Sequence, residues 1–355
     1  MPNAIITATG SYLPPRVIPN NHFLKQRFFG PDGKRLERPN PAIVSKLEEI
    51  TGIQERRYAT EGMTTSDLAL AAAERALEGM SRENFDYLIV AHNFGDVTSA
   101  TQRTDQVPNI ASRVKQRLGI KNPYTVAYDL PFGCPGWLLA LIQANYFIAS
   151  GDARRALVIG VELVSRVVDP HDMDCMIFAD GAGAAILESS GNREATGILA
   201  HATRSDTLAH GQLLKMGPSY NPERSREELW VKMDGHKIYQ SAVRTVPQVA
   251  KEVLDKAGHT LADVDKVLVH QANEKMDQAI IKRLGSLYGV KDLPADIMPM
   301  TIGWAGNSSV ATLPTMLDLI RRGDLPPHRI QNGDLLLFAS VGAGMHISCV
   351  LYRVP

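Results

Sequence analysis

The chemistry this sequence can support begins at Cys134. It stands in Pro131-Phe132-Gly133-Cys134-Pro135-Gly136, ahead of the apolar run Trp137-Leu138-Leu139-Ala140-Leu141-Ile142. Proline is favoured at the first helical position, so the spacing predicts a helix opening at Pro135 with Cys134 as its N-cap. Free N–H groups and the positive end of the helix dipole favour a thiolate there. The expected chemistry is therefore nucleophilic attack by a sulfur of lowered pKa at the floor of a pocket. The same segment also fits a small buried residue at a turn. Cys175 and Cys349 lie in strand-like runs without a glycine turn, where core packing is expected.

A cysteine nucleophile needs groups that move protons or hold developing negative charge. His270 ends the run Val267-Leu268-Val269 and opens Gln271-Ala272-Asn273, a polar set at the C-terminal edge of a predicted strand, where open α/β sheets place ligands. Asn307 sits in Gly303-Trp304-Ala305-Gly306-Asn307-Ser308-Ser309 before a predicted helix over 310–320. A carboxamide there can donate to an oxyanion or cap that helix. The loop Val341-Gly342-Ala343-Gly344 can bring backbone N–H groups close to a reacting oxygen, or simply turn the chain. His171-Asp172-Met173-Asp174 has no second ligand cluster and reads as a solvated loop, so no metal is expected. Asp180-Gly181-Ala182-Gly183-Ala184 lacks a third glycine and a following helix, and reads as a turn into a strand rather than a dinucleotide site.

Positioning these residues requires alternating strands and helices, the pattern of an α/β fold. Phe85 to Ala91 reads as a buried strand after a helix over 67–79; Val264 to His270 repeats its shape 179 residues later, after a helix over 239–257. The runs Ala156 to Gly160 and Leu335 to Ala339 each follow a Gly-Asp pair, Gly151-Asp152 and Gly333-Asp334. Two similar halves, 1–190 and 191–355, are therefore expected, joined near residues 190 to 200. Residues 29–41 and 218–228 read as surface loops. The stretch Leu130 to Gly151 carries no charge, yet its prolines, glycines, Gln143 and Asn145 favour a helix buried on all sides in a core over a membrane span.

The 355 residues carry 38 basic and 38 acidic side chains. A formal charge of zero removes the blanket attraction that nucleic acid or an anionic membrane would exploit, and neither partner is expected. Sparse, unpaired cysteines and an N-terminus without a basic, apolar leader pattern point to a reducing cytoplasmic location.

The order Cys134, then His270-Gln271-Ala272-Asn273, then Gly306-Asn307-Ser308-Ser309, then the terminal glycine loop resembles the β-ketoacyl-acyl carrier protein synthase III family of the thiolase superfamily. The resemblance extends through Thr9 to Pro14, Thr51-Gly52-Ile53 and Phe178 to Ala184, nearly the whole chain. It implies a duplicated five-layered α-β-α-β-α fold and a homodimer. It implies decarboxylative Claisen condensation of an acyl thioester, borne on coenzyme A or acyl carrier protein, with malonyl-carrier protein. Coenzyme A or phosphopantetheine thioesters would be substrates, with no permanently bound cofactor.

By that resemblance Cys134 is the acylated nucleophile, and His270 with Asn307 hold the malonyl thioester carbonyl. The backbone N–H groups of Cys134 and Ala343 form a second oxyanion site. Asn273 and Lys275 lie at the carrier entrance, and Arg166 packs on the coenzyme A adenine. The family's tryptophan and arginine for gripping that adenine are replaced here by Lys46 and Ile50, and the acyl gate falls on Val107. These departures suggest a specialised enzyme accepting a medium or long acyl group. Several rivals remain open: a relative forming an ester or amide, a Cys-His-Asn thioester hydrolase, an acyl-binding subunit without catalysis, and a hydroxymethylglutaryl-type synthase using Asp96 as its carboxylate. A thiolase is disfavoured, because its second reactive cysteine is absent from Val341-Gly342-Ala343-Gly344.

Overall fold

The computed structural model describes residues 3–99, 103–191 and 196–355. Two mixed sheets carry the chain. The first contains β1 (Ala4–Tyr12), β2 (Tyr87–Ala91), β3 (Val126–Leu130), β4 (Arg155–Leu163) and β5 (Asp180–Ser189), hydrogen-bonded in the order β1-β5-β4-β2-β3. The chain then enters β6 (Gly197–Ser205), passes through a hairpin of β7 (Leu214–Pro218) and β8 (Leu229–Met233), and finishes with β9 (Lys266–Val269), β10 (Leu335–Gly342) and β11 (His346–Arg353). The second sheet has the order β6-β11-β10-β9.

The two orders repeat one topology. β1 and β6 each pair antiparallel with the last strand of their half, and β2 and β9 each run parallel to the next-to-last, β4 and β10. Even an irregularity recurs: the register slips between Ile6 and Ala8 in β1, and between Ile198 and Ala200 in β6. An inserted residue of this kind twists the strand locally, so both sheets are bent at the same place.

Helices form where the local chemistry favours them. α1 (Asn40–Thr51) carries Pro41 at its start and is closed by Gly52 at φ 75°. α2 (Thr65–Ala76) is rich in alanine and opens with a capping box between Thr64 and Asp67. α3 (Ile110–Leu118) is capped by Asn109, whose side chain accepts from the Ser112 N–H. α4 (Gly136–Ser150) is the uncharged segment of the sequence. α5 (Gly235–Lys256), α6 (Glu274–Leu287) and α7 (Thr312–Arg322) belong to the second half. Predicted spans were close: 67–79 became Thr65–Ala76, 239–257 became Gly235–Lys256, and the predicted 310–320 helix begins as a short 3-10 turn, Ser309–Ala311, before α7.

The layering follows from which residues share a core. α4 and α7 lie between the sheets: Trp137, Leu141, Leu313 and Leu317 pack with Ile89, Val158 and Leu187 of the first sheet and with Leu336, Phe338 and Val350 of the second. α4 is therefore apolar over most of its length, which explains its composition, although Tyr146 and Ser150 are exposed and the helix is not buried on all sides as expected. α2 and α3 cover the outer face of the first sheet, and α5 and α6 that of the second. The result is five layers, α-β-α-β-α. Among the described residues, no helix is long and apolar enough to cross a membrane.

Glycine makes the inner layer close. A Cβ on Gly183 of β5 would lie 2.6 Å from the Thr315 nitrogen, and one on Gly160 of β4 would lie 2.6 Å from the Val310 oxygen. The Asp180–Ala184 segment is thus β5 itself rather than a turn leading into a strand, and its glycines serve helix-to-sheet contact.

Several surface expectations are corrected. Residues 40–41 of the predicted 29–41 loop already belong to α1, while Phe28, Phe29 and Gly30 are buried. Cys175 lies in a 3-10 turn, Met173–Ile177, and not in a strand, although it is buried as expected. The segment at His171 is not a solvated loop. Asp169 and Asp172 are buried against the Lys232 ammonium at 2.5 and 3.1 Å, and Ser219 donates to Asp169. The cation makes the buried carboxylates tolerable and ties the 219–221 stretch to β8. Among the described residues, no group of three or more His, Cys, Asp or Glu side chains is arranged to hold a metal.

Candidate active site

Cys134 lies between β3 and α4, in a turn that only bare backbone permits. Gly133 takes φ +65°, and a Cβ there would meet the Ala343 nitrogen at 2.9 Å; a Cβ on Gly342 would meet the Cys134 nitrogen at 2.5 Å. The turn and the terminal glycine loop therefore pack backbone to backbone, with the N–H groups of Cys134 and Ala343 in the same contact. Phe132 stacks on His346 at a centroid distance of 4.1 Å and fastens the outer side of this contact.

The helix-cap expectation needs correction. The N-cap is Pro135 and the first helical residue is Gly136, so Cys134 precedes the cap. Its thiol is not acidified either. Burial pushes it up to about 11, against the hydrogen bond with Ser309, which lowers it, and with a smaller upward push from the nearby Glu162 carboxyl. The Cys134 Sγ and Ser309 Oγ are 3.3 Å apart.

The sulfur opens onto a cavity of about 240 Å³ whose walls include Phe94, Val164, Phe178, Leu214, Met216 and Val231. Asn93 also reaches this cavity. Its Nδ2 donates to Glu162 at 2.5 Å, and its Oδ1 accepts from the Gly133 N–H at 2.9 Å, so the amide is oriented by a carboxyl on one side and the cysteine turn on the other. Burial raises the Glu162 carboxyl to about 7. Asp96 is occupied elsewhere: it accepts from the Ser66 N–H and hydroxyl and pairs with Arg113 at 2.6 Å. It does not line the cysteine cavity, which leaves the hydroxymethylglutaryl-type reading without its carboxylate.

Asn307 reaches this region through the backbone. Its N–H donates to the Ile177 carbonyl at 3.1 Å, and its own carbonyl accepts from the Ala179 N–H at 2.8 Å. Its Oδ1 accepts from the Ser309 N–H at 2.8 Å, which turns the Nδ2 donors the other way. Gly306, at φ +72°, lets this loop lie against Arg56. The Arg56 guanidinium is wholly buried and donates to the carbonyls of Met176 and Ile18 and to Asn20.

His270 follows β9 directly and is 2% exposed. Its N–H donates to the Ala339 carbonyl at 2.8 Å, while its Nδ1 has no hydrogen-bond partner. Burial lowers its pKa to about 4, so the ring is neutral at physiological pH. The β9–β10 register pairs Val269 with Ala339, which sets His270 beside Ser340. Gly342, against which Cys134 packs, is then two residues farther along β10, roughly 7 Å at strand rise.

A second cavity, about 990 Å³, adjoins this region. Its lining includes Leu36, Leu47, Ile50, Met233, Tyr239 and Met276. Ala272 and Asn273, directly after His270, also line it; Ile177 and Met233 face it where their near neighbours Phe178 and Val231 face the cysteine cavity. Neither His270 nor Asn307 lines either cavity: His270 stands two residues before Ala272 of the large one, and Asn307 two residues before Ser309 of the cysteine cavity. Asn273 caps α6, accepting from the Met276 N–H at 3.1 Å, and Lys46 and Ile50 both line the large cavity. Lys275 is exposed and pairs with Glu49 at 3.4 Å.

Two expected residues lie apart from both cavities. Arg166 is buried, and its guanidinium donates to the carbonyls of Val97, Thr60 and Glu61. It braces two chain segments, at Val97 and at Thr60-Glu61, instead of presenting an open face to an adenine. Val107 is 86% exposed and lines neither cavity of its own chain. Sequence reasoning gave no role to Ser309, Asn93, Glu162 or Arg56; the Asn-Ser-Ser run was visible, but the conformation of its last serine was not.

Comparison with known proteins agrees with this architecture. Sequence models of 3-oxoacyl-[acyl-carrier-protein] synthase III match residues 128–207, and of its C-terminal part residues 254–354. The beta-ketoacyl-[acyl-carrier-protein] synthase III of Ruegeria pomeroyi is 36% identical over 99% of this chain and 98% of its own. That of Laribacter hongkongensis is 37% identical over 97% of each chain. The crystal structure of the Pseudomonas aeruginosa 3-oxoacyl-(acyl carrier protein) synthase III superposes with a TM-score of 0.81, at 28% identity, covering 99% of this chain and 98% of the other. A chain that repeats one sheet topology in two halves and aligns over nearly its full length with these proteins is a member of the 3-oxoacyl-[acyl-carrier-protein] synthase III family.

Proposed function

We propose that this protein condenses an acyl thioester with malonyl-acyl carrier protein, with decarboxylation, through an acyl group carried on Cys134. The observation that carries the reading is the place of Cys134, on a largely apolar cavity and in a glycine turn whose backbone packs against that of Ala343. The half 1–190 supplies the nucleophile, and 191–355 supplies His270 and Asn307.

In the first step the Cys134 sulfur bonds to the acyl carbon, the bond to the donor thiol breaks, and the thiol proton leaves with that donor. The N–H groups of Cys134 and Ala343 hold the transient oxyanion. In the second step the malonyl carbon–carboxylate bond breaks, CO2 leaves, and its electron pair becomes an enolate. Neutral His270 and the Asn307 amide donate to that enolate oxygen, an interaction that strengthens only as charge develops. The enolate carbon then attacks the acyl carbon, Cys134 is released as a thiolate, and it takes a proton from solvent.

The 990 Å³ cavity suits the phosphopantetheine arm of coenzyme A or of the carrier protein, with Asn273 as a polar anchor and Lys275 outside as a contact for the acidic carrier. We assign the cysteine cavity to an acyl chain of medium length. Val107 can gate that chain only from a second copy, as a homodimer would provide. A cytoplasmic setting, where these thioesters are made, fits the free cysteines.

Intact-protein mass measurement after incubation with acyl thioesters of graded length tests this. A single adduct on Cys134 that disappears on addition of malonyl-carrier protein, with CO2 released, is expected. An adduct lost equally fast without malonyl donor would instead identify a hydrolase; preference for acetyl over medium chains would overturn the assignment of chain length.

A further inference from the structure

Ser309 has three features that the proposed mechanism leaves unused. Its backbone takes φ +53°, a left-handed conformation that a serine adopts only under constraint. Its N–H is held by the Asn307 Oδ1 at 2.8 Å, and its hydroxyl is 3.3 Å from the Cys134 sulfur. One residue thus joins the nucleophile to the carboxamide.

The constraint comes from the neighbours. The carbonyl of Val310, the next residue, occupies the space a Cβ on Gly160 would need, and the Val310 side chain lies against Gly136 at the start of α4. The 309–310 turn is therefore wedged between a strand and the helix that follows the cysteine. Ser309 is itself buried and lines the cysteine cavity. In such an apolar space a thiolate has few donors, and a hydroxyl already in contact stabilises it.

We infer that Ser309 is a positioning residue for both halves of the site: its hydroxyl steadies the Cys134 sulfur as it becomes a thiolate, and its strained backbone fixes the direction of the Asn307 amide. This rests on the reading of Cys134 as the nucleophile. The strain then has a function, and relieving it should separate stability from reactivity.

The test uses the full-length protein and the variants Ser309→Gly and Ser309→Ala, with iodoacetamide alkylation of Cys134 followed by mass across pH and melting temperature measured in parallel. Ser309→Gly is expected to melt at or above wild type, because glycine accepts positive φ, yet to alkylate about tenfold more slowly at pH 8, with its profile displaced to higher pH. Ser309→Ala should show the same displaced profile without the gain in melting temperature. Unchanged alkylation profiles in both variants overturn the inference, as does a Ser309→Gly variant that loses stability and reactivity together. Normal alkylation behaviour in a wild type that accepts no acyl thioester would sink the proposed function and leave Ser309's role intact.

Discussion

His92 and His270 both directly follow a strand that runs parallel to its neighbour in one of two matching sheets. Their surroundings differ sharply. His92 is held on both ring nitrogens: Nε2 lies 2.7 Å from Asp129, and Nδ1 accepts from the Gly95 N–H at 3.0 Å. His270 is just as buried, but its Nδ1 has no partner and no carboxylate pairs with it. The first histidine is used up in securing its own loop. The second leaves a ring nitrogen unpaired in the interior, which costs stability. The duplication supplied two strand ends, and the histidine left incompletely bonded is the one the proposed mechanism uses.

Breaking each histidine separates these roles. His270→Ala is expected to cut malonyl decarboxylation by about 10²–10³-fold, the usual loss for an oxyanion donor, with little loss of melting temperature. His92→Ala should do the reverse, costing roughly 1–3 kcal/mol of stability by leaving the buried Gly95 N–H without its acceptor and Asp129 without its ring contact, while the rate per folded molecule holds. Decarboxylation kinetics and thermal melts check both, and equal rate losses would dissolve the contrast.

A lack of partners alone does not make a group catalytic, and Asp277 sharpens the point. It is buried in α6 with neither carboxylate oxygen bonded, and burial raises its pKa well above the usual value. The folded state therefore holds a proton that the unfolded chain releases near pH 4, so stability falls as pH rises through that region. Asp277→Leu should stabilise by up to about 3 kcal/mol, with a larger gain at pH 7 than at pH 4 and an unchanged rate. A destabilised variant would show that Asp277 has a partner in solution.

The His270 ring predicts its own pH signature. With a folded pKa lowered to about 4, the unfolded chain takes up a proton near pH 6.5 that the folded state refuses. Stability is then complete above that pH and falls as pH drops, by about 2 kcal/mol for this group between pH 7 and 5. Denaturant titrations of wild type and His270→Gln at the two pH values would give that difference. The smallest effect belongs to Lys275. Its pair with Glu49 is exposed and screened by solvent, so Lys275→Ala should leave melting unaltered while raising KM severalfold for carrier-borne malonyl substrate and not for the coenzyme A form.

Much of the site was legible because its residue types punctuate the sequence. A cysteine among glycine and prolines, a histidine closing a run of valine and leucine, and an asparagine after glycine are each visible without coordinates. The duplication was legible too, since matching strands fall 179 residues apart and share their flanking pattern. What stayed hidden depends on distant segments. The thiol was expected to be acidic from its helix, but helix geometry is local whereas burial is not, and burial prevails. Arg166 looked available because nothing in Ser165-Arg166-Val167 reveals the carbonyls of Val97, Thr60 and Glu61 that claim it. The Lys232 cluster draws on residues from 169 to 232, and the turn at Ser309 and Val310 packs against Gly160 and Gly136, far away in sequence.

The inner layer, with one helix from each half clasped between both sheets, has a mechanical corollary. Its side chains are shared by the two halves, so these cannot swing apart like jaws without exposing the apolar centre of the molecule. Substrate must gain entry at the periphery, where the 32–38 loop and the β7–β8 hairpin border the two cavities. The proposed reacting groups are thus carried by the shared, tightly packed centre, and the segments that frame the way in lie outside it.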